Sequence, residues 1–87
     1  MKLRLREDRL PWVELEGEVV ALDEAALTYL SANESGALLW RELSRGATRD
    51  ELARRLAAEF ELDPARAEAD VDRFLADLRQ RGLLEDA

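Results

Sequence analysis

Neither cysteine nor histidine occurs in these 87 residues. Without cysteine there is no disulfide framework and no thiolate zinc site, which suits a reducing, cytoplasmic setting. Without histidine as well, little is left for catalysis. The hydroxyls are Ser31, Ser35, Ser44, Thr28, Thr48 and Tyr29, and none has a base at a recognisable spacing. No calcium-loop pattern appears, so no metal and no cofactor is expected. No apolar run approaches the roughly 20 residues that span a bilayer. The start, Met1-Lys2-Leu3-Arg4-Leu5-Arg6, alternates where a signal peptide would be continuously apolar. Lysine is reduced to Lys2, and the other cations are arginines. Acids outnumber bases by 20 to 13, a net charge of -7, which repels nucleic acid and anionic membranes. The residues therefore predict one small cytoplasmic domain, 1–87, that is not an enzyme and binds neither nucleic acid nor membrane.

What is present divides into two periods. Leu3 and Leu5 alternate with Lys2, Arg4 and Arg6, the pattern of a half-buried strand. Arg9-Leu10-Pro11 breaks it. A second run has Val13 and Leu15 facing away from Glu14 and Glu16, and Glu16-Gly17 suits a tight hairpin. Glu18 to Asp23 predicts a third strand with Val20 and Leu22 inward. A turn without glycine follows, and Leu27 to Ser31 is the last run. These four segments, about 2–31, predict an antiparallel meander with one face on a core.

From Asn33 the period becomes helical. Asn33 is a suitable N-cap, in competition with a Ser31–Glu34 capping box, and Ala37, Leu39, Trp40 and Leu43 form a stripe ending at Arg45-Gly46. Thr48 with Glu51 forms a capping box for a second helix carrying Leu52, Leu56 and Phe60. Asp63-Pro64 opens a third, with Ala67, Val71, Phe74, Leu75 and Leu78 in its stripe and Gly82 beyond its end. The helices span about 33–44, 48–60 and 64–81. Leu83-Leu84 is expected to fold back on the core. The class is α+β: a winged-helix-like arrangement, a small N-terminal antiparallel sheet followed by three helices.

A winged helix suggests DNA reading by its third helix. Here that helix balances Arg66, Arg73, Arg79 and Arg81 against Glu68, Asp70, Asp72 and Asp77, on an acidic protein. DNA affinity rests largely on cations that neutralise phosphate. Peptide capture fits better. The run Leu27, Thr28, Tyr29, Leu30, Ser31 carries no charge, although natural edge strands are usually blunted by charge or proline. If it is the last strand, an extended peptide can add to it, with Asp70, Arg73, Phe74 and Asp77 as the opposite wall. Phe74, at stripe spacing with Val71 and Leu78, is more often core than a peptide contact, and Tyr29 reads equally as a half-buried sheet residue and as a peptide contact.

Four stretches carry a resemblance: GEVVALD (17–23), YLSANESGALLW (29–40), TRDELARRLAAEFELDP (48–64) and ADVDRFLADLRQRGLL (69–84). In order and spacing the chain resembles the PqqD-like peptide-recognition elements of ribosomal peptide modification, and most of all the stand-alone leader-binding protein of lasso-peptide clusters. The resemblance implies three strands and three helices, no catalysis, and a precursor leader peptide bound as an added strand. It also implies delivery to a leader peptidase or other maturation enzyme, and a leader anchored by a tyrosine and a proline. By position, the edge maps to Leu27–Ser31 and the facing helix to Ala67–Leu78, which adds Ala67, Val71 and Leu78 to the candidate contacts. Ala32 stands where the family usually has leucine, and the turn at 23–26 lacks the family's frequent glycine. The rival readings are a winged-helix transcriptional regulator and a module whose open edge pairs with a second copy.

Overall fold

The computed structural model of the protein describes residues 1–6 and 10–86. Its elements are β1 (Leu3–Leu5), β2 (Trp12–Leu15), β3 (Glu18–Asp23), β4 (Thr28–Ala32), α1 (Glu34–Arg45), α2 (Arg49–Phe60), α3 (Pro64–Gln80) and β5 (Leu84–Asp86). The α+β class with a small antiparallel sheet and three helices is as the sequence predicts. The meander, however, has three strands, in the order β2-β3-β4. β1 leaves it to pair with β5 at the other end of the chain, Leu3 opposite Asp86 and Leu5 opposite Leu84, and also bridges Ala47. Leu83 is buried, so the final segment does close on the core. Of the expected break at Arg9-Leu10-Pro11, Arg9 lies outside the described residues. Leu10 is fully buried, and the Pro11 carbonyl accepts a hydrogen bond from the Leu22 N–H at 2.9 Å.

Glu16 and Gly17 both take positive φ (52° and 83°), which matches the twist of a tight hairpin. The β3–β4 turn is built without glycine. The Ala26 N–H donates to the buried Asp23 carboxylate at 3.2 Å, and Leu27 adopts the left-handed conformation, φ 56°. Leucine takes that conformation at a cost of about 1–2 kcal/mol. Leu27 thus belongs to the turn and not to the strand.

The sheet's faces differ from the expectation. Val19, Ala21 and Asp23 are the buried residues of β3, and their partners Leu30 and Ala32 share that inner face. Val20 and Leu22 lie on the outer face with Val13, Leu15 and Tyr29. The inner face lies under α1, where Trp12 meets Trp40 edge-to-face with centroids 6.2 Å apart. Small residues on β3 leave room for those two indoles. On β2 the inward position is Glu14, held by Arg41 at 3.0 Å.

The first two helices begin where a side chain satisfies free N–H groups of the first turn. Asn33 accepts from the Gly36 N–H at 3.2 Å and caps α1, so Ser31 is left to the strand. Thr48 and Glu51 form a reciprocal capping box on α2. Asp63 makes no side-chain cap bond, contrary to expectation, and α3 starts on Pro64 alone. Leu38, Leu39, Trp40, Leu43, Leu52, Leu56, Val71, Leu75 and Leu78 close the core beneath the sheet. α2 is tied to α3 by Arg49, which grips Asp72 through two bonds of 2.6 and 2.9 Å. That pairing raises the guanidinium's pKa and lowers that of the Asp72 carboxyl.

Candidate functional site

An antiparallel strand points its backbone groups alternately to its two neighbours. The Leu22 N–H is directed at Pro11, so on β3 the even-numbered residues bond toward β2. Val19, Ala21 and Asp23 then bond toward β4, and their partners Ala32, Leu30 and Thr28 bond back. What remains on β4 is the other parity. The N–H and C=O groups of Tyr29 and Ser31 point away from β3, and among the described residues no strand lies against them.

Among the described residues, the outer edges of β2 and β5 also lack a partner strand, and both are blunted. β2 has four residues, follows Pro11 and carries an inward-pointing glutamate clamped by arginine. β5 has three residues, two of them acidic. β4 has five residues with neither charge nor proline. Among the described strand edges, β4 is the one without charge or proline to discourage pairing.

At the Ala32 end the edge meets the helices. A recess of about 390 Å³ opens there, lined by Asn33, Ser35, Gly36, Leu39, Leu56, Asp70, Arg73 and Phe74. Its floor is apolar and its rim polar. Asn33 accepts from the Gly36 N–H and from the Ser35 hydroxyl at 3.0 Å, which fixes the rim at the head of α1. On α3, Asp70 is bonded to Arg73 and lies 3.8 Å from Arg66, and Asp77 meets Arg81 at 3.3 Å. Each carboxylate of this wall has an arginine beside it, so the wall is close to neutral. Exposed pairs of this kind contribute little to stability.

The expected contacts separate into three groups. Asp70, Arg73 and Phe74 come together at the recess, and Asp77 is exposed one turn further along the same helix. Ala67, Val71 and Leu78 turn into the core and are at most 3% exposed, so they offer a guest no surface. That is a correction: position along α3 had mapped them to the site, but the helical face they occupy is the buried one. On β4, Thr28 and Leu30 direct their backbone inward, while Tyr29 and Ser31 hold the free groups. The Tyr29 ring stands 77% exposed on the outer face, and Leu27 is exposed in the turn. The recess is also lined by residues the sequence did not suggest: Asn33, Ser35, Leu39, Leu56 and especially Gly36. A glycine in the first turn of a helix, where alanine is favoured by about 1 kcal/mol, was the available signal.

The fold and this edge define a class: a small winged-helix-like module with an uncharged edge strand beside a helix. The family profile described as coenzyme PQQ synthesis protein D (PqqD) matches residues 18–84, and the chain belongs to that family. Two solved structures are similar over nearly the whole length. One is described as TbiB1 in complex with the TbiA(beta) leader peptide: 27% identity, TM-score 0.85, covering 97% of this chain and 96% of that one. The other is a lasso peptide synthetase B1 complexed with the leader peptide: 25% identity, TM-score 0.81, covering 95% of this chain and 96% of that one. No curated protein matches the chain. Among the described residues, no helix is long and apolar enough to cross a membrane.

Proposed function

We propose that this protein captures the leader segment of a ribosomally made precursor peptide as an added strand on β4 and presents it to a maturation enzyme, a leader peptidase of the lasso-peptide type. The observation that carries this reading is the free, outward-facing backbone of Tyr29 and Ser31 on an uncharged strand. Its support from outside is that both similar structures are complexes with leader peptides.

Magnitudes say what kind of peptide is needed. Two residues offer up to four backbone hydrogen bonds, together about 2–6 kcal/mol net. Association costs about 4 kcal/mol or more. Backbone pairing alone therefore does not hold a peptide. The surplus must come from side chains, at about 1.5–3 kcal/mol for each large apolar one buried. The recess at Gly36 and Phe74 is where such an anchor fits. Selection thus rests on the anchors, and the strand supplies orientation.

Presentation requires a second surface that stays free while the edge is filled. The outer face of the sheet meets that requirement. Val13 and Leu15 are 55% and 58% exposed, beside Val20, Leu22 and Tyr29. An apolar face of this kind on a small monomer is a mark of partner contact. The maturation enzyme would dock there, beside the bound peptide.

The test is titration of a fluorescently labelled leader segment of a candidate lasso-type precursor peptide, followed by anisotropy. Binding at micromolar concentration or tighter, with a 1:1 end point, is expected. No binding by the leader, together with salt-dependent binding of duplex DNA, would transfer the assignment to a transcriptional regulator. Dimerisation that consumes the β4 edge would transfer it to a self-pairing module.

A further inference from the structure

Gly36 has no conformational reason to be glycine. It lies in the first turn of α1 with helical backbone, where glycine is costly relative to alanine. The reason is space. A Cβ on Gly36 would lie 2.9 Å from the Ala32 Cβ, a separation real side chains do not reach, and 3.5 Å from the Phe74 ring. Ala32 ends β4, and Phe74 belongs to α3. Gly36 is buried and at the same time lines the recess. The contact on the strand side is a methyl on the backbone, which cannot rotate away.

The consequence concerns spacing. β4 packs on α1, α3 packs chiefly on α2, and strand and α3 have little direct contact with each other. Among the described residues, the separation of the two walls is set chiefly by what each rests on. On α1, Gly36 is a position from which a side chain would reach both Ala32 and Phe74. A guest strand needs about 4.8 Å from β4 in the hydrogen-bonding direction and room for its side chains before α3.

We infer that the Ala32–Gly36 contact is a positioning device that fixes the width of the peptide groove: two small residues, matched to each other, seat the end of β4 against α1 so that a strand fits between β4 and α3. The inference rests on the strand-addition reading above and assigns a role that the contact residues themselves do not have. One added methyl at Gly36 overlaps the Ala32 methyl, so the end of β4 must move off α1, whereas the Phe74 ring at 3.5 Å is in ordinary contact with it. Removing the methyl of Ala32 in the same molecule makes room again.

The experiment uses peptides of about twelve residues selected on the wild-type protein from a displayed random library. Their affinity is measured for the wild type, Gly36→Ala, Ala32→Gly and the double variant, and melting temperature is followed in parallel. Gly36→Ala is expected to bind about tenfold or more weakly, and the double variant to recover to within about threefold of wild type. A purely structural glycine would lower melting temperature without the paired recovery of affinity. Unchanged affinity in Gly36→Ala, or a loss that Ala32→Gly does not repair, overturns the inference. Should Gly36→Ala not fold, Ala32→Val crowds the same contact from the strand side; weakened binding supports the inference and full affinity overturns it. If the library yields no peptide on the wild type, strand addition itself fails and the inference with it. Selected peptides that ignore the substitutions defeat the inference alone.

Discussion

Ser31→Pro separates the edge from the fold. The Ser31 N–H points away from β3 and its side chain is exposed on the outer face. Proline is tolerated on an edge strand when the lost N–H faces outward. The preceding residue, Leu30, is already extended, as a residue before proline must be. Folding stability should therefore change by no more than about 1 kcal/mol, within the range of ordinary surface substitutions and mild backbone effects. Binding should suffer far more. One backbone bond worth about 0.5–1.5 kcal/mol disappears, and the guest carbonyl that it served is left buried without a partner at about 1–3 kcal/mol. The sum, about 1.5–4.5 kcal/mol, corresponds to a loss of roughly tenfold to a thousandfold in affinity. The control is Leu30→Pro one residue away. Its N–H bonds to β3, so it removes a ladder bond and part of the core, and it should destabilise the fold directly. Thr28 belongs to the same parity, so a proline there attacks the sheet and not the edge. Calorimetric titration with a leader peptide and thermal melts of both variants decide the matter. Equal melting losses for Ser31→Pro and Leu30→Pro, or normal peptide affinity in Ser31→Pro, would refute the assignment of the open groups.

Three further outcomes are expected. Tyr29→Ala should leave the melting temperature nearly unchanged, because the ring is solvent-exposed, and should weaken the leader by at most about fivefold, the range of one cross-strand pair; a loss of a hundredfold would place the ring in the groove. Thr48→Ala removes the capping-box acceptor at about 1 kcal/mol and should lower the melting temperature by about 4–8 °C, read by circular dichroism. Acid should destabilise the fold. The Thr48 backbone N–H lowers the Glu51 pKa from its ordinary 4.5, and the Arg49 bonds lower that of Asp72 from 3.8. Both carboxyls hold a proton more tightly when unfolded, so their stabilisation is complete above those ordinary values and is lost as pH falls through the lower folded ones. Urea midpoints at neutral pH and below pH 4 should differ less in Asp72→Asn than in the wild type.

The helices were legible because their signals are local. Asn33, the Thr48–Glu51 box, Pro64 and Gly46 mark ends without help from distant residues. The sheet was only partly legible. Leu3-Arg4-Leu5 announces a strand, but nothing in it names β5, some 80 residues away, as the partner. Val19-Val20-Ala21-Leu22 is apolar on both parities, so alternation could not choose the inner face, which places Ala21 opposite Trp12. The site followed the same rule. The uncharged strand stood out by composition, whereas which of its amides are free depends on pairing with β3. Ala67, Val71 and Leu78 were misplaced because knowing which helix faces the groove does not say which side of that helix does.

Amide exchange along β4, followed residue by residue by NMR with and without leader peptide, addresses the open edge most directly. The amides of Thr28, Leu30 and Ala32 should be protected throughout, being bonded to β3, and those of Tyr29 and Ser31 should become protected only when peptide is added. Protection of Tyr29 and Ser31 in the free protein, or peptide-induced protection confined to β2 or β5, would contradict strand addition at this edge.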